Sequence, residues 1–224
     1  MSTRRNLYNG DYGSVVGSHH GYPGFRNKLR IKTFTKLINP CKHDKILELG
    51  CNTGELVVRI SEYSDEVVGI DINQEQVGRL KSGNIHCMSA THLEFQEDNF
   101  DKVCAFEVVE HIPAIAKVFQ EVWRVLKPGG KFIFSFPLEL FRGQAALIDA
   151  VRVFKNPLYS LKLHVHRLTP GKVKKILEGI PFEVNHWSIK LVPYPTFVMI
   201  LEKSAMPTPS SLNIETSASS VRRR

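Results

Sequence analysis

From Lys45 onward the chain repeats one rhythm, a short apolar run followed by an amphipathic stretch. Apolar runs at Lys45–Leu49, Val67–Asp71, Ile85–Met88 and Lys102–Phe106 are interleaved with helix-period stretches at Glu55–Tyr63, Gln74–Lys81 and Ile115–Leu126. A further run, Lys131–Phe136, follows the turn sequence Lys127-Pro128-Gly129-Gly130. A strand that is followed by a helix and then another strand must run parallel to its neighbour, because the helix carries the chain back to the starting edge. The runs are apolar on both faces, so helices must cover both sides of the sheet they build. The fold class is therefore α/β, a doubly wound and mostly parallel sheet.

Outside this rhythm the pattern changes. Residues 1–24 are rich in Gly, Ser, Tyr and His and have no period, while Arg26–Ile38 reads as a basic helix. Beyond Pro137, Leu140, Gln144, Leu147, Val151 and Phe154 share one helical face and mark an insert. Thr169 and Pro170 supply an N-cap and a first-turn proline for a helix to about Glu178, and strand-like runs follow at Phe182–Ile189 and Thr196–Glu202. The tail is polar, ends in three arginines and has too little apolar surface to fold. We divide the chain into a basic arm and helix at 1–44, a domain at 45–204 with an insert at 138–168, and a disordered tail at 205–224.

The 224 residues suit one domain, and 42% hydrophobic with 23% charged residues excludes a fibrous or wholly disordered chain. No apolar run approaches the roughly 20 residues of a membrane span, and the first residues lack a signal-peptide core. A soluble, cytoplasmic chain is expected. Cys41, Cys51, Cys87 and Cys104 form no Cys-x-x-Cys pair, so neither disulfides nor a zinc site are expected. The net charge of +8 is segregated: +7 over residues 1–45, −6 over 46–138 and +6 over 139–175. Such a split fits a solvated basic face, a phosphate-bearing substrate or an anionic membrane surface met through residues 138–163.

The most informative segment is Ile46-Leu47-Glu48-Leu49-Gly50-Cys51-Asn52-Thr53-Gly54, an apolar strand that ends in a glycine turn opening a helix. Such a turn presents backbone N–H groups to a ligand at the carboxyl edge of a sheet. Dinucleotide binders need Gly-x-Gly-x-x-Gly, but Asn52 and Glu55 stand at the second and third glycine positions, and no Gly-Lys-Ser/Thr triplet supports a P-loop. Asp71 ends the next strand, twenty-one positions after Gly50, where its two oxygens can accept from a vicinal diol.

In these residues the chain resembles the class I S-adenosylmethionine-dependent methyltransferases of the type 11 kind, whose first motif is an acid followed by Gly-x-Gly-x-Gly. Asn52 replaces the middle glycine, and Asn tolerates left-handed backbone better than other residues bearing a side chain. Asp98–Val103 and Trp123–Gly130 resemble later motifs, so the likeness covers residues 45–136 and the closing strands. It implies a seven-stranded Rossmann-like sheet and S-adenosylmethionine as cofactor. It also implies cofactor contacts from Glu48, Gly50, Cys51, Asn52 and Gly54 on the first turn, and from Asp71 and Ile72 after the second strand. Ser89 and Ala90, within Ser89-Ala90-Thr91, would meet the adenine, and Phe106, at the mouth of the site, would be a further cofactor-binding residue.

Phe106-Glu107-Val108-Val109-Glu110-His111 follows the fourth strand. Glu107, Glu110 and His111 can offer two oxygens and a nitrogen to a divalent cation, with His164 or His166 as a fourth ligand, a mixed set favouring Mg²⁺ or Mn²⁺ over zinc. Alternatively, His111 is a general base and Glu110 its neighbour in catalysis. Glu-x-x-Glu-His at this place is similar to the O-methyltransferases of ubiquinone biosynthesis and to the 2′-O-methyltransferases of small RNAs. Asn27-Lys28-Leu29-Arg30 resembles the pre-motif of the ubiquinone enzymes, which implies that Arg30 holds the cofactor carboxylate. The expected activity is O-methylation of a small-molecule acceptor, lipid-linked or anionic. RNA 2′-O-methylation and a non-catalytic cofactor-binding partner subunit are the alternatives. No RNA-binding module or aromatic series among the basic residues supports nucleic acid. Oligomeric state and acceptor stay open.

Overall fold

The apolar runs pair into one seven-stranded sheet, in the order β3-β2-β1-β4-β5-β7-β6. The computed structural model describes residues 24–79, 84–138, 151, 155, 166–191 and 195–204. Along the chain the elements are α1 (Gly24–Ile38), β1 (Lys45–Leu49), α2 (Glu55–Ile60), β2 (Glu66–Asp71), α3 (Gln74–Arg79), β3 (Ile85–Cys87), β4 (Phe100–Phe106), α4 (Ile115–Val125), β5 (Leu126–Pro137), α5 (Pro170–Ile176), β6 (Phe182–Lys190) and β7 (Thr196–Lys203). The first five strands are parallel, and β7 runs antiparallel between β5 and β6. The arm before residue 24, the helical face expected over 138–163, most of the insert at 138–168, and the tail at 205–224 lie outside the described residues.

Strand periodicity sorts the core into two layers. Val103 and Ala105 of β4 and Phe132, Phe134 and Phe136 of β5 point to one face, where α4 and α5 pack. Cys104, Phe106 and Ile133 point to the other, where α1 and α2 pack through Phe34, Ile38, Leu56, Val57 and Ile60. This period-two division is what a buried parallel sheet demands. On the first face Phe119 of α4 meets Phe132 and Phe134 edge-on, with centroids 5.6 and 5.4 Å away. On the second, Phe34 of α1 stacks on Phe106 at 3.9 Å. That contact fastens the N-terminal helix to the end of a central strand.

Two boundaries differ by three residues or more from the sequence expectation. β5 starts at Leu126, not Lys131, because Leu126 already pairs with Phe100 and the ladder resumes at Lys102 with Lys131. The Pro-Gly-Gly segment is an irregularity inside the strand, with Gly129 at φ 75°. α2 stops at Ile60 rather than Tyr63, where the Ser61 hydroxyl donates to the Val57 carbonyl and competes with continued helix. Thr169 caps α5 as expected, accepting from the Lys172 N–H at 3.3 Å.

Candidate functional site

The sequence-marked residues from Glu48 to Gly54, Asp71, Ile72, Ser89, Ala90 and Phe106 to His111 lie toward the carboxyl edge of the parallel strands, where the chain leaves each strand for a loop. The turn after β1 is left-handed at three alternate residues, with φ of 68° at Gly50, 47° at Asn52 and 69° at Gly54. Gly50 is required for space as well: a Cβ there would lie 2.6 Å from Val108 Cγ2. Asn52 takes the left-handed geometry expected of it. The Cys51 N–H donates to the Ile70 carbonyl at 2.9 Å and the Asn52 N–H to Asp71 Oδ2 at 2.9 Å, which tie the turn to the end of β2. The other Asp71 oxygen accepts the Asn73 N–H at 2.9 Å. Asp71 is thus fixed in orientation while its oxygens keep further lone pairs for hydroxyl donors.

Behind this turn the Glu48 side chain is buried, and its Oε2 has no hydrogen-bond partner among the described residues. Burial pushes its carboxyl up to about 8, with Asp71 adding to the shift and the Arg30 guanidinium and Val57 N–H opposing it. An orphaned buried carboxylate oxygen is costly by itself and fits a site that receives a cationic ligand. Cys51 is also buried, and its thiol is held well above its ordinary range by burial and by the charges of Glu48 and Asp71, so it packs rather than reacts.

Arg30 sits on α1, with Nε donating to Asn27 Oδ1 at 3.2 Å and a terminal nitrogen 4.0 Å from Glu55. Asn27 in turn donates to Glu55, so α1 is pinned to the start of α2 beside the glycine turn. Phe106, expected among the cofactor-binding residues, has its ring buried on Phe34 and supports α1. Ile72 is exposed just past Asp71. Ser89 and Ala90 lie in the loop after β3, where Ser89 Oγ is 2.8 Å from Thr91 Oγ1. This loop is held from α4: Glu121 accepts the Leu93 N–H at 2.8 Å, and Arg124 donates to the Leu93 and Phe95 carbonyls at 2.7 Å.

The expected cation ligands do not assemble. Glu107 Oε1 accepts from Ser135 Oγ at 3.1 Å and Thr196 Oγ1 at 2.6 Å. His166 Nε2 lies 3.0 and 3.1 Å from the Ile112 and Pro113 carbonyls, and its N–H donates to the Glu110 carbonyl. Among the described residues no group of three His, Cys, Asp or Glu side chains is placed to hold a metal ion. His164 lies outside those residues. Glu107, Glu110, His111 and His166, expected as ligands of Mg²⁺ or Mn²⁺, are thus not aimed at one point among the described residues, as a ligand set requires. Glu110 and His111 do stay together on the single 3₁₀ turn Val109–His111, with His111 Nε2 3.7 Å from the buried Glu110 Oε1.

Residues 47–134 match the family described as methyltransferase domain. Over these residues the chain is similar to methyltransferase domains. The glycine turn, Asp71 and Glu48 all lie within the matched segment. The chain is 32% identical over 118 residues to a ubiquinone biosynthesis O-methyltransferase of Hydrogenovibrio crunogenus, covering 49% of this chain and 48% of that protein. It is 29% identical over 142 residues to a 24-methylenesterol C-methyltransferase of Arabidopsis thaliana, covering 57% of this chain and 39% of that one. The chain thus spans less than half the length of these curated relatives. A solved S-adenosylmethionine-dependent methyltransferase of Methanosarcina mazei shares the fold, with a TM-score of 0.58, 22% identity and coverage of 82% of this chain and 98% of that one. No helix among the described residues is long and apolar enough to cross a membrane.

Sequence reasoning missed Val108, Ser135 and Thr196. Thr196 carried no local signal, because its partner Glu107 lies 89 residues away. Val108 could have been suspected from Gly50, since a glycine with no alternative implies a neighbour that fills its side-chain space.

Proposed function

We propose that the chain transfers the methyl group of S-adenosylmethionine to an oxygen of a small-molecule acceptor, lipid-linked or anionic. The observation that carries this reading is the Glu110–His111 pair beside the glycine turn, an imidazole with a buried carboxylate 3.7 Å from its Nε2. When bound, the cofactor supplies an activated methyl on a sulfonium leaving group. The protein's tasks are then alignment and removal of the acceptor's proton. His111 takes that proton at a ring nitrogen, and the Glu110 carboxylate balances the charge the ring acquires. Asp71 and the backbone of 50–54 orient the nucleoside part, and Arg30 and Glu48 meet the charged amino-acid part. Support for an apolar acceptor comes from the two curated relatives, one named for ubiquinone biosynthesis and the other for a sterol. The excess of bases over residues 139–175 supports an anionic group on it.

The test is transfer of a radiolabelled methyl group to a prenylated catechol and to a sterol, assayed side by side. Label on the catechol oxygen is expected, and label on a sterol carbon overturns O-methylation. His111→Ala should slow transfer by about 10²-fold while S-adenosylhomocysteine affinity stays within about twofold. Turnover should persist in excess EDTA, because Glu107 and His166 are engaged with hydroxyls and carbonyls. Loss in EDTA with rescue by Mg²⁺ would restore the cation-binding role to these residues.

A further inference from the structure

We propose that Glu107 is a positioning residue. Its carboxylate, clamped by Ser135 and Thr196, fixes a left-handed backbone at the end of β4, which seats Val108 against Gly50 and sets the turn that carries Glu110 and His111. The consequence for ligand binding rests on the cofactor reading given above.

Glu107 has φ 60°, a conformation that strains a residue with a side chain and persists only where the surroundings over-determine it. Three bonds do so here. The Glu107 N–H donates to the Ser135 carbonyl at 3.2 Å, and Oε1 accepts from the Ser135 and Thr196 hydroxyls. Ser135 and Thr196 are themselves buried near the end of β5 and at the start of β7, strands paired across Ser135–Val198 and Pro137–Thr196. The Thr196 hydroxyl also reaches the Phe136 carbonyl at 2.8 Å, but its 2.6 Å approach to a carboxylate is the shorter and charge-assisted one. Thus the antiparallel closing strands, far from the glycine turn in sequence, are joined to it through one side chain.

The next residue shows what the clamp sets. Val108 Cγ2 occupies the space a side chain at Gly50 would need, so the position of Val108 and the shape of the cofactor turn depend on each other. From Val108 the chain enters the 3₁₀ turn, closed by the His111 N–H to the Val108 carbonyl at 3.0 Å. Val109 and Glu110 are buried there. A shift in Glu107 backbone therefore moves both the wall of the glycine turn and the imidazole.

Glycine substitution separates positioning from direct contact. Glycine takes φ near 60° without strain, whereas alanine keeps the steric penalty and loses the clamp. S-adenosylhomocysteine affinity is read by calorimetry, and hydrogen exchange of the residue 108–112 amides is read without ligand. Glu107→Ala and Thr196→Val should each raise Kd about tenfold, Glu107→Gly should recover to within about threefold, and Glu107→Gln and Thr196→Ser should remain near wild type because they keep the acceptor and the hydroxyl. Exchange should follow the same order. Equal losses in Glu107→Gly and Glu107→Ala, or wild-type behaviour of Thr196→Val in both measurements, overturn the clamp. A wild-type chain that binds no S-adenosylhomocysteine overturns the cofactor reading instead, and the exchange order alone then decides the clamp.

Discussion

The two edges of the same sheet handle their acids in opposite ways. At the amino-terminal edge the half-buried Asp44 and Asp101 and the exposed Asp98 each meet a lysine. Lys102 lies 2.6 Å from Asp44, Lys127 2.7 Å from Asp101, and Lys203, the last residue of β7, 2.6 Å from Asp98 while lying over the Trp123 ring. Lys45 adds its backbone N–H to Asp101 at 2.8 Å. At the carboxyl edge Asp71 is met by backbone amides and Glu107 by hydroxyls, and Glu48 keeps a buried oxygen without a partner among the described residues. Left-handed residues stand at 50, 52, 54 and 107 here, and at Asn39, Asp98 and Gly129 toward the other edge, so backbone geometry alone does not separate the two. One edge pairs its acids with lysines and stabilises the fold. The other leaves its acids to amides and hydroxyls, an arrangement that suits a ligand.

The largest test of that division is Gly50→Val. A β-branched side chain at φ 68° would be strained, and its Cβ would overlap Val108. Binding of S-adenosylhomocysteine should fall below detection by calorimetry while circular dichroism retains the α/β signature. Near-normal affinity would mean that Val108 yields to a side chain at position 50.

A matched pair sharpens the contrast. Asp71→Ala should weaken S-adenosylmethionine by about 1.5–3 kcal/mol, the scale of charge-assisted bonds to a diol, with little change in Tm. Asp101→Ala should do the reverse, costing about 1–2 kcal/mol of stability by denaturant unfolding with affinity unchanged. If both substitutions act mainly on stability, the carboxyl edge is no more specialised than the amino edge.

The division also explains what could be read in the sequence. The strands, their parallel order and both covered faces follow from local apolar periodicity, and Gly50, Asn52 and Asp71 follow from a turn chemistry that each residue declares by itself. Glu107 was legible as an important acid, but its role was not. Its spacing to Glu110 and His111 suggested a ligand set, yet its side chain turns to Thr196, a contact made by β-pairing across the whole second half of the domain. Phe106 misleads for a related reason, since the stack with Phe34 depends on where α1 docks. Long-range anchors leave no local mark.

The smallest expected effect is a pH dependence of opposite sign at the two edges. Burial alone would raise the Asp101 carboxyl, but Lys127 and the Lys45 amide outweigh it and hold the group below its ordinary range. Its stabilisation is therefore complete above the unfolded value near 4 and is lost as pH falls through the lower folded value. Glu48 does the opposite. Raised to about 8, it keeps its proton where an unfolded glutamate has lost it from about 4.3 upward, so the folded state binds more protons across that interval. Stability should decline as pH rises through the window and level off above 8. Glu48→Gln removes this slope. Its Tm should match or fall below wild type at pH 5 and exceed it by about 2–4 °C at pH 8.5, roughly 1 kcal/mol for a domain of this size. Parallel Tm curves for the two proteins would place the Glu48 carboxyl in contact with water, and the carboxyl edge would then hold no proton-retaining buried acid.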